Sequence, residues 1–593
     1  MQPQQIRLRF RRRLRKSRRK VGDLGTQAEE QIDEHLLNRF ERLFEVRRFV
    51  MGWIALVLLI CTALVAQNVQ LGNYYQSLRY VPGGIYNEGV LGRFSNANPI
   101  FATTDIDSAI SRLVFAGLFK YDTKGSLVGD LAKDISVDAH GNSYTVHLKS
   151  GLKWQDGRPV TSDDVVFTYK SIQNPDVQSP FQNSWQGIDI SAPDQRTIVF
   201  KLPGILASFP HSLTNGLLPK HLLFTIPPTE LRSADFNTVH PIGAGPFRWQ
   251  AIQVSGDGNP DHAYERIALS PFEGYQAGPP KLQKFVVGAY SDKTQLIRAF
   301  DSNQLNGIEG LTDLPAKLKD NRITTHSLPL NAANMVFFKT SSGVLSDQAV
   351  RKALVQSADV PSITSKLDFK ARLVKEPILI GQLGYDKTLA QPGHDTVVAN
   401  KGLDAAGWLR DNKNNRLKQG KPLSFSLTVA DTHEFKTVSE QLKKQWAGAG
   451  IKMIPIYLNS ADFQNALANH SYDAILYGIS IGSDPDVFVY WDSSQADIRS
   501  ANRLNLSEYK NPTADAALEA GRTRLDPELR TLKFKPFLQS WQADSPALGL
   551  YQPRVLYLTN GQVSGLSEGP INNPTDRFSN VVNWQIRQAK VTN

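Results

Sequence analysis

Two short stretches carry a pattern associated with covalent catalysis. Gly478-Ile-Ser480-Ile-Gly482 and Gly565-Leu-Ser567-Glu-Gly569 both read G-x-S-x-G, the arrangement that exposes a serine hydroxyl on a tight strand-to-helix turn. That serine needs a histidine and an acid drawn from later in the chain. No histidine follows His470, and the second stretch runs into Pro570-Ile-Asn-Asn-Pro574 rather than a helix. No H-E-x-x-H, P-loop or paired C-x-x-C occurs, and the eleven histidines include no pair at metal-ligand spacing. The residues therefore predict no catalytic group, no cofactor and no metal site.

What they can do is hold a ligand. Residues 472–477 (YDAILY) read as a strand that runs into a Gly/Ser loop and then Ser483-Asp484-Pro485-Asp486. A strand end of this kind offers backbone groups and small polar side chains, so Tyr477, Ser480, Ile481, Gly482, Ser483 and Asp484 are candidate contacts. Trp185, in a loop rich in Gln, Asn and Ser, is another: it either covers a ligand or packs into the core.

Charge and hydropathy bear on where the elements that position these residues lie. The net charge of +11 is uneven: residues 1–48 carry 14 Lys/Arg against 7 Asp/Glu, leaving only +4 for the rest. A nucleic-acid binder would show the excess in its folded part, so none is expected as a partner. Residues 49–66 (FVMGWIALVLLICTALVA) hold no charge, directly after Arg47 and Arg48, and no Lys or Arg follows until Arg79. Cationic flanks resist translocation, which predicts a single transmembrane anchor with residues 1–48 cytoplasmic and the body extracytoplasmic. A cleaved signal peptide normally has a shorter basic region. Lipidation at Cys61 would want a smaller residue than Ile60, so Cys61 reads as an apolar helix residue. The cytoplasmic part itself shows a capping box, Thr26-x-x-Glu29, then Ile32, Leu36, Phe40, Leu43 and Phe44 on one helical face. Its basic stretch, residues 7–20, suits anionic headgroups. Residues 67–82 read as a polar linker.

Beyond the linker, strand and helix patterns alternate without an internal repeat. In residues 131–169 (LAKDISVDAHGNSYTVHLKSGLKWQDGRPVTSDDVVFTY) an alternating strand, SYTVHL, precedes an Asp156-Gly157 turn and a helix start at Thr161 with Asp164 three residues on. This run resembles the signature region of the bacterial family 5 extracellular solute-binding proteins, the dipeptide, oligopeptide and nickel binders of ABC transporters. The resemblance continues in order through Asn98-Pro-Ile-Phe101, Pro241-Ile-Gly-Ala-Gly-Pro-Phe247, the Asp347…Val350-Arg351…Leu354 helix, Ala406-Gly-Trp408, Gly450-Ile-Lys452 and Asp484-Pro-Asp486.

The resemblance implies an α/β, two-lobed periplasmic-binding-protein-like fold with an extra subdomain, preceded by one transmembrane helix. Residues 83–118, 241–330 and 551–593 would form the first lobe, 119–240 its extra subdomain, and 331–550 the second lobe. It also implies lobe closure on a solute, most simply an oligopeptide, for delivery to an ABC transporter permease and its ATPase. A ligand-sensing or peptide-holding module without transport is the alternative. Thr103, Thr104, Asp105 and Asp107, just after the N-P-I-F motif, would face the second lobe; capping of the next helix is their other reading. Trp154 and Trp408 fall in structural landmarks and read as core. Peptide binders of the family often read D-Y-x-D-P where this chain has Ile481 to Pro485, the first Asp pairing with the peptide α-amine. Ile481 cannot neutralise an ammonium. Asp484 either substitutes for that Asp or serves a turn.

Overall fold

The structure, a computed structural model, describes residues 47–255, 264–319, 322–497, 499–500, 503–561 and 563–592. The basic stretch 7–20 and the amphipathic segment from Ile32 to Phe44 lie outside them. The chain divides into two units, residues 1–79 with 588–593, and residues 80–587.

In the first unit, helix α1 (Arg47–Tyr75) includes a stretch, Phe49–Gln70, that is long and apolar enough to cross a membrane and is exposed on every side. Its 22 residues span about 33 Å, close to the thickness of a hydrocarbon core. A helix apolar all round has no face to turn to water. Over residues 67–82, read as a polar linker, the helix runs on to Tyr75, and a strand, Gln76–Val81, follows it and pairs with Arg587–Thr592. Polar residues mark where an apolar stretch ends, but Gln67, Asn68 and Gln70 do not stop a helix.

The second unit holds two large sheets. The first, of seven strands, runs Ile323–Pro329, Arg554–Asn560, Gly307–Leu311, Ile85–Leu91, Lys284–Tyr290, Tyr264–Pro271 and Phe247–Ser255 in spatial order. Ile85–Leu91 lies at its centre, parallel to both neighbours. The second, of five strands, runs Lys452–Leu458, Ser424–Ala430, Ala474–Ser480, Ala332–Phe338 and Ala547–Tyr551. Successive side chains of Ala332–Phe338 feed different cores: Val336 and Phe338 pack with Leu427, Trp446 and Leu476, whereas Met335 and Phe337 pack with Ile475, Trp491 and Trp541. This is the period-two alternation of a strand buried on both faces.

An antiparallel four-stranded sheet forms the extra subdomain, in the order Ala132–Val137, Ser143–Leu148, Thr197–Lys201, Asp189–Asp194. Tyr144, Val146 and Leu148 alternate inward as the sequence predicts. Asp164 closes the capping box by accepting the Thr161 N–H at 2.8 Å, and it also receives Trp154 Nε1 at 3.3 Å and the Lys220 N–H at 2.9 Å. Trp154 and Trp408 are buried. The architecture is thus a two-lobed α/β protein with an extra subdomain, preceded by one apolar helix.

The Pro241–Phe247 motif has a physical reason. A Cβ at Gly243 would lie 2.0 Å from the Val114 carbonyl oxygen, and one at Gly245 would lie 2.6 Å from the Val114 carbonyl carbon. Only glycine lets this turn approach the end of helix α2 (Asp105–Val114), where the Gly245 N–H donates to Val114 O at 2.9 Å. The turn therefore fixes the C-terminus of the helix that lines the candidate site.

Candidate functional site

Helix α2 is amphipathic. Ile106, Ala109, Ile110 and Leu113 are buried, while Asp105, Ser108, Ser111 and Arg112 line a cavity of about 420 Å³. Tyr121, Phe181, residues 214–216 and residues 573–576 complete much of its wall. This lies within the 300–1,000 Å³ usual for ligand pockets. None of the described residues of 331–550 lines it.

The four candidates at the start of α2 divide. Thr103 and Asp105 are exposed and line the cavity. Thr104 is the N-cap, its hydroxyl accepting the Asp107 N–H at 3.2 Å. Asp107 is 2% exposed; its carboxylate accepts the N–H groups of Ser95 and Asn96 at 2.8 and 3.1 Å and the Ser95 hydroxyl at 2.6 Å. Thr104 and Asp107 therefore organise the loop before the helix, and neither lines the cavity.

The loop after strand Ala474–Ser480 is largely engaged by protein groups. The N–H groups of Ile481 and Gly482, expected to face a ligand, both donate to Asn331 O at 2.9 Å. Gly482 O accepts Gln382 Nε2 at 2.5 Å, and Gly482 has φ +76°, a conformation that favours glycine. Ile481 is buried. Tyr477 is half-buried against Phe463, with ring centroids 6.0 Å apart, and burial raises its pKa. Ser480 is exposed at the strand end, and its carbonyl accepts the Tyr490 hydroxyl at 2.6 Å. A loop follows it, the next helix starting only at Phe488, so this G-x-S-x-G lacks the tight turn of a nucleophile elbow.

Asp484 is held by a partner the sequence did not signal. Arg530 Nη1 and Nη2 donate to its two oxygens at 2.7 and 2.8 Å, and both side chains are nearly buried. A carboxylate gripped bidentately is not free for a ligand ammonium. Trp185 is 3% exposed and stacks on Tyr169 with centroids 4.0 Å apart; its surface belongs to the core and does not cover a ligand.

The two lobes meet beside these residues. The Ala207 N–H donates to Arg522 O at 2.9 Å, and Ser208 Oγ donates to Asp486 Oδ2 at 3.2 Å. His211 Nε2 lies 4.0 Å from Asp484 Oδ2, while its Nδ1 is 2.9 Å from the Tyr121 hydroxyl. Burial lowers the His211 pKa, with Asp484 pulling it up and Arg530 pushing it down. Ser483 Oγ donates to Gly125 O at 2.9 Å and lies 3.0 Å from Asn572 Oδ1, joining the second-lobe loop to the C-terminal segment.

Sequence reasoning missed Arg112, Tyr121, Asn573 and Asp576. Arg112 had a legible signal: it stands seven residues after Asp105, on the face of α2 opposite the apolar stripe. The others reach the cavity from remote strands and turns and have none.

Residues 126–500 match the middle region of the bacterial extracellular solute-binding proteins, family 5. The chain belongs to this family. It is similar to the oligopeptide-binding protein AppA of Bacillus subtilis, 25% identical over 484 residues that cover 79% of this chain and 86% of the relative. Its fold is that of AppA solved in complex with a nonapeptide, at a TM-score of 0.64, 24% identity, 86% of this chain and 100% of that one. NikZ of Campylobacter jejuni, in complex with Ni(L-His), shares the fold at a TM-score of 0.68, 22% identity, 85% of this chain and 99% of that one. Family 5 membership makes this a solute-binding protein, and its relatives include peptide-binding proteins of ABC transporters.

Proposed function

We propose that this family 5 protein is the membrane-tethered, extracytoplasmic substrate-binding subunit of an ABC importer. It captures oligopeptides between its lobes by hinge closure and delivers them to a permease driven by its ATPase. The observation that carries this reading is the direct hydrogen bonding between the extra subdomain and the second lobe in a family 5 chain, with a ligand-sized cavity on the first-lobe helix α2. Closure across such contacts gives a transporter a shape by which to tell loaded from empty protein. Helix α1 supplies the tether: basic residues precede its apolar span and none follows closely, which favours a cytoplasmic N-terminus.

Native mass spectrometry of the full chain, extracted in detergent from its own host, tests capture. A ladder of peptide masses supports the reading. Absence of any ligand, together with no thermal shift on adding a mixed peptide library, refutes it. Protease added to intact cells, or to spheroplasts where an outer membrane shields the protein, should digest the body and spare residues 1–48. A protected body contradicts the tether's orientation.

A further inference from the structure

The charges on the cavity wall are not equally satisfied. Lys120 Nζ donates to the Tyr275 hydroxyl at 3.1 Å and lies 3.5 Å from the Asp130 carboxylate, which is buried. Asp576 accepts the N–H groups of Asn572 and Asn573 at 2.9 and 3.3 Å and is itself buried. Arg112 differs. Its half-buried guanidinium lines the cavity and its charge pulls the Asp576 carboxyl down against the rise from burial, yet it has no hydrogen bond and no carboxylate oxygen within 4.0 Å among the described residues, so its donors are open. A guanidinium carries five N–H donors in a planar fork. Holding it away from bulk water without acceptors is costly, and a carboxylate matches that fork with two parallel hydrogen bonds.

The far end of the cavity has the opposite character. Asp105 lies on the same face of α2, seven residues earlier and so about 10 Å along the axis. Its exposed carboxylate lines the cavity and has no ion-pair partner among the described residues. An anion is disfavoured there and a cation is not. The cavity is therefore polarised along the helix, positive at Arg112 and negative at Asp105.

We infer that Arg112 receives a carboxylate of the captured solute, and that the Asp105 end takes its cationic part. An extended peptide advances about 3.3–3.6 Å per residue, so roughly three residues fit between the two charges. This rests on the peptide reading above and narrows it to zwitterionic peptides held with the carboxylate toward Arg112.

The test is equilibrium binding by the full chain in detergent, measured by calorimetry. The probes are an equimolar tripeptide library with free carboxyl ends, the same library C-terminally amidated, and an amidated library whose members each carry an internal Asp or Glu. The parent chain should bind the free-acid library at least about tenfold tighter than the plain amidated one. Arg112→Gln should lose about 10–100-fold on the free acids, the range of a charge-assisted bidentate contact, and nothing on the amidated peptides. Arg112→Lys keeps the charge without the planar fork and should bind the free acids between the parent and Arg112→Gln, while an unchanged melting temperature in both variants separates the contact from folding damage. If the internal-acid library recovers binding that depends on Arg112, a side-chain carboxylate fills the same role and the inference stands. Equal binding of the free-acid and plain amidated libraries overturns it, as does unchanged free-acid binding in Arg112→Gln. Failure of the parent chain to bind any library overturns the peptide reading, and this assignment with it.

Discussion

Replacing Arg577 with Met should destabilise the first lobe and loosen the cavity wall together. Arg577 and Glu88 are both buried at the core of that lobe, with Arg577 Nη2 and Nε donating to Glu88 Oε1 at 2.5 and 3.2 Å. The other Glu88 oxygen accepts the Tyr557 hydroxyl at 2.7 Å, and the Tyr557 and Tyr86 hydroxyls lie 2.6 Å apart. Arg577 Nη1 also donates to Pro574 O at 2.6 Å, tying residues 573–576 of the cavity wall to the central strand. Met fills a volume close to that of the Arg stem, so the cavity penalty is small. The dominant loss is a buried carboxylate left without its counter-charge, which costs about 3–5 kcal/mol. That is a large part of the 5–15 kcal/mol typical of a folded protein. Urea unfolding of the full chain in detergent, followed by tryptophan fluorescence, should show an early transition in Arg577→Met. The double variant Glu88→Gln/Arg577→Met removes this pair and should recover part of the loss, with buried Glu309 still deprived of the Arg577 charge. At urea concentrations where the single variant is still folded, its peptide affinity should already fall, because Pro574 O has lost its donor. An unfolding curve unchanged in Arg577→Met, or a double variant no better than the single one, refutes this account.

Three further outcomes follow from other sites. Glu376 is buried with both oxygens unpartnered, and burial pushes its pKa up to about 8. The native state then retains a proton that the unfolded chain releases, so stability falls as pH rises from about 4.5 to 8; Glu376→Gln should raise the melting temperature at pH 8 and barely alter it at pH 4.5, and an equal effect at both contradicts the reasoning. His211 is the reverse case: its native pKa is depressed by burial, so the stability tied to its neutral form is complete above its ordinary value of 6.5 and declines as pH falls through it. The drop in melting temperature between pH 7.5 and 5.5 should be smaller in His211→Gln than in the parent chain. Gly243→Ala should cost about 1–3 kcal/mol in urea melts, because its Cβ meets the Val114 carbonyl at 2.0 Å and the end of α2 must move; a neutral substitution would show that the turn can yield.

The sequence reveals most clearly whatever depends on local periodicity. The alternation of Tyr144, Val146 and Leu148 and the Thr161–Asp164 box are local, and the structure realises both. The cavity face of α2 is half legible: the motif before the helix points to Thr103 and Asp105, while Arg112 needs the helical period carried two turns further. Pairings across long separations left no trace in the sequence. Nothing near Asp484 points to Arg530, 46 residues on, and nothing near Glu88 points to Arg577, 489 residues on. The Gly/Ser loop reads as free backbone, because no local pattern reveals that Asn331, on the segment entering the second lobe, takes the N–H groups of Ile481 and Gly482.

These pairings change how charge can govern closure. An unpaired aspartate at position 481 would put a desolvated carboxylate where Ile481 packs in the second lobe's core, a cost that stays unless a counter-charge meets it. Ile481 removes the condition, since a buried aliphatic side chain gains nothing from a cation. Asp484 does not restore it: with Arg530 on the same lobe, it arrives at His211 and the extra subdomain as one half of a neutral pair already formed. A ligand shifts an equilibrium only through interactions that differ between its two states. In this chain the second-lobe loop brings hydrogen-bonding and apolar contacts to closure, and the unbalanced charge facing the cavity sits on α2 in the first lobe. On the proposed reading, selection by ligand charge belongs to the lobe that holds Arg112 and Asp105, and closure would add fit around a solute oriented by them.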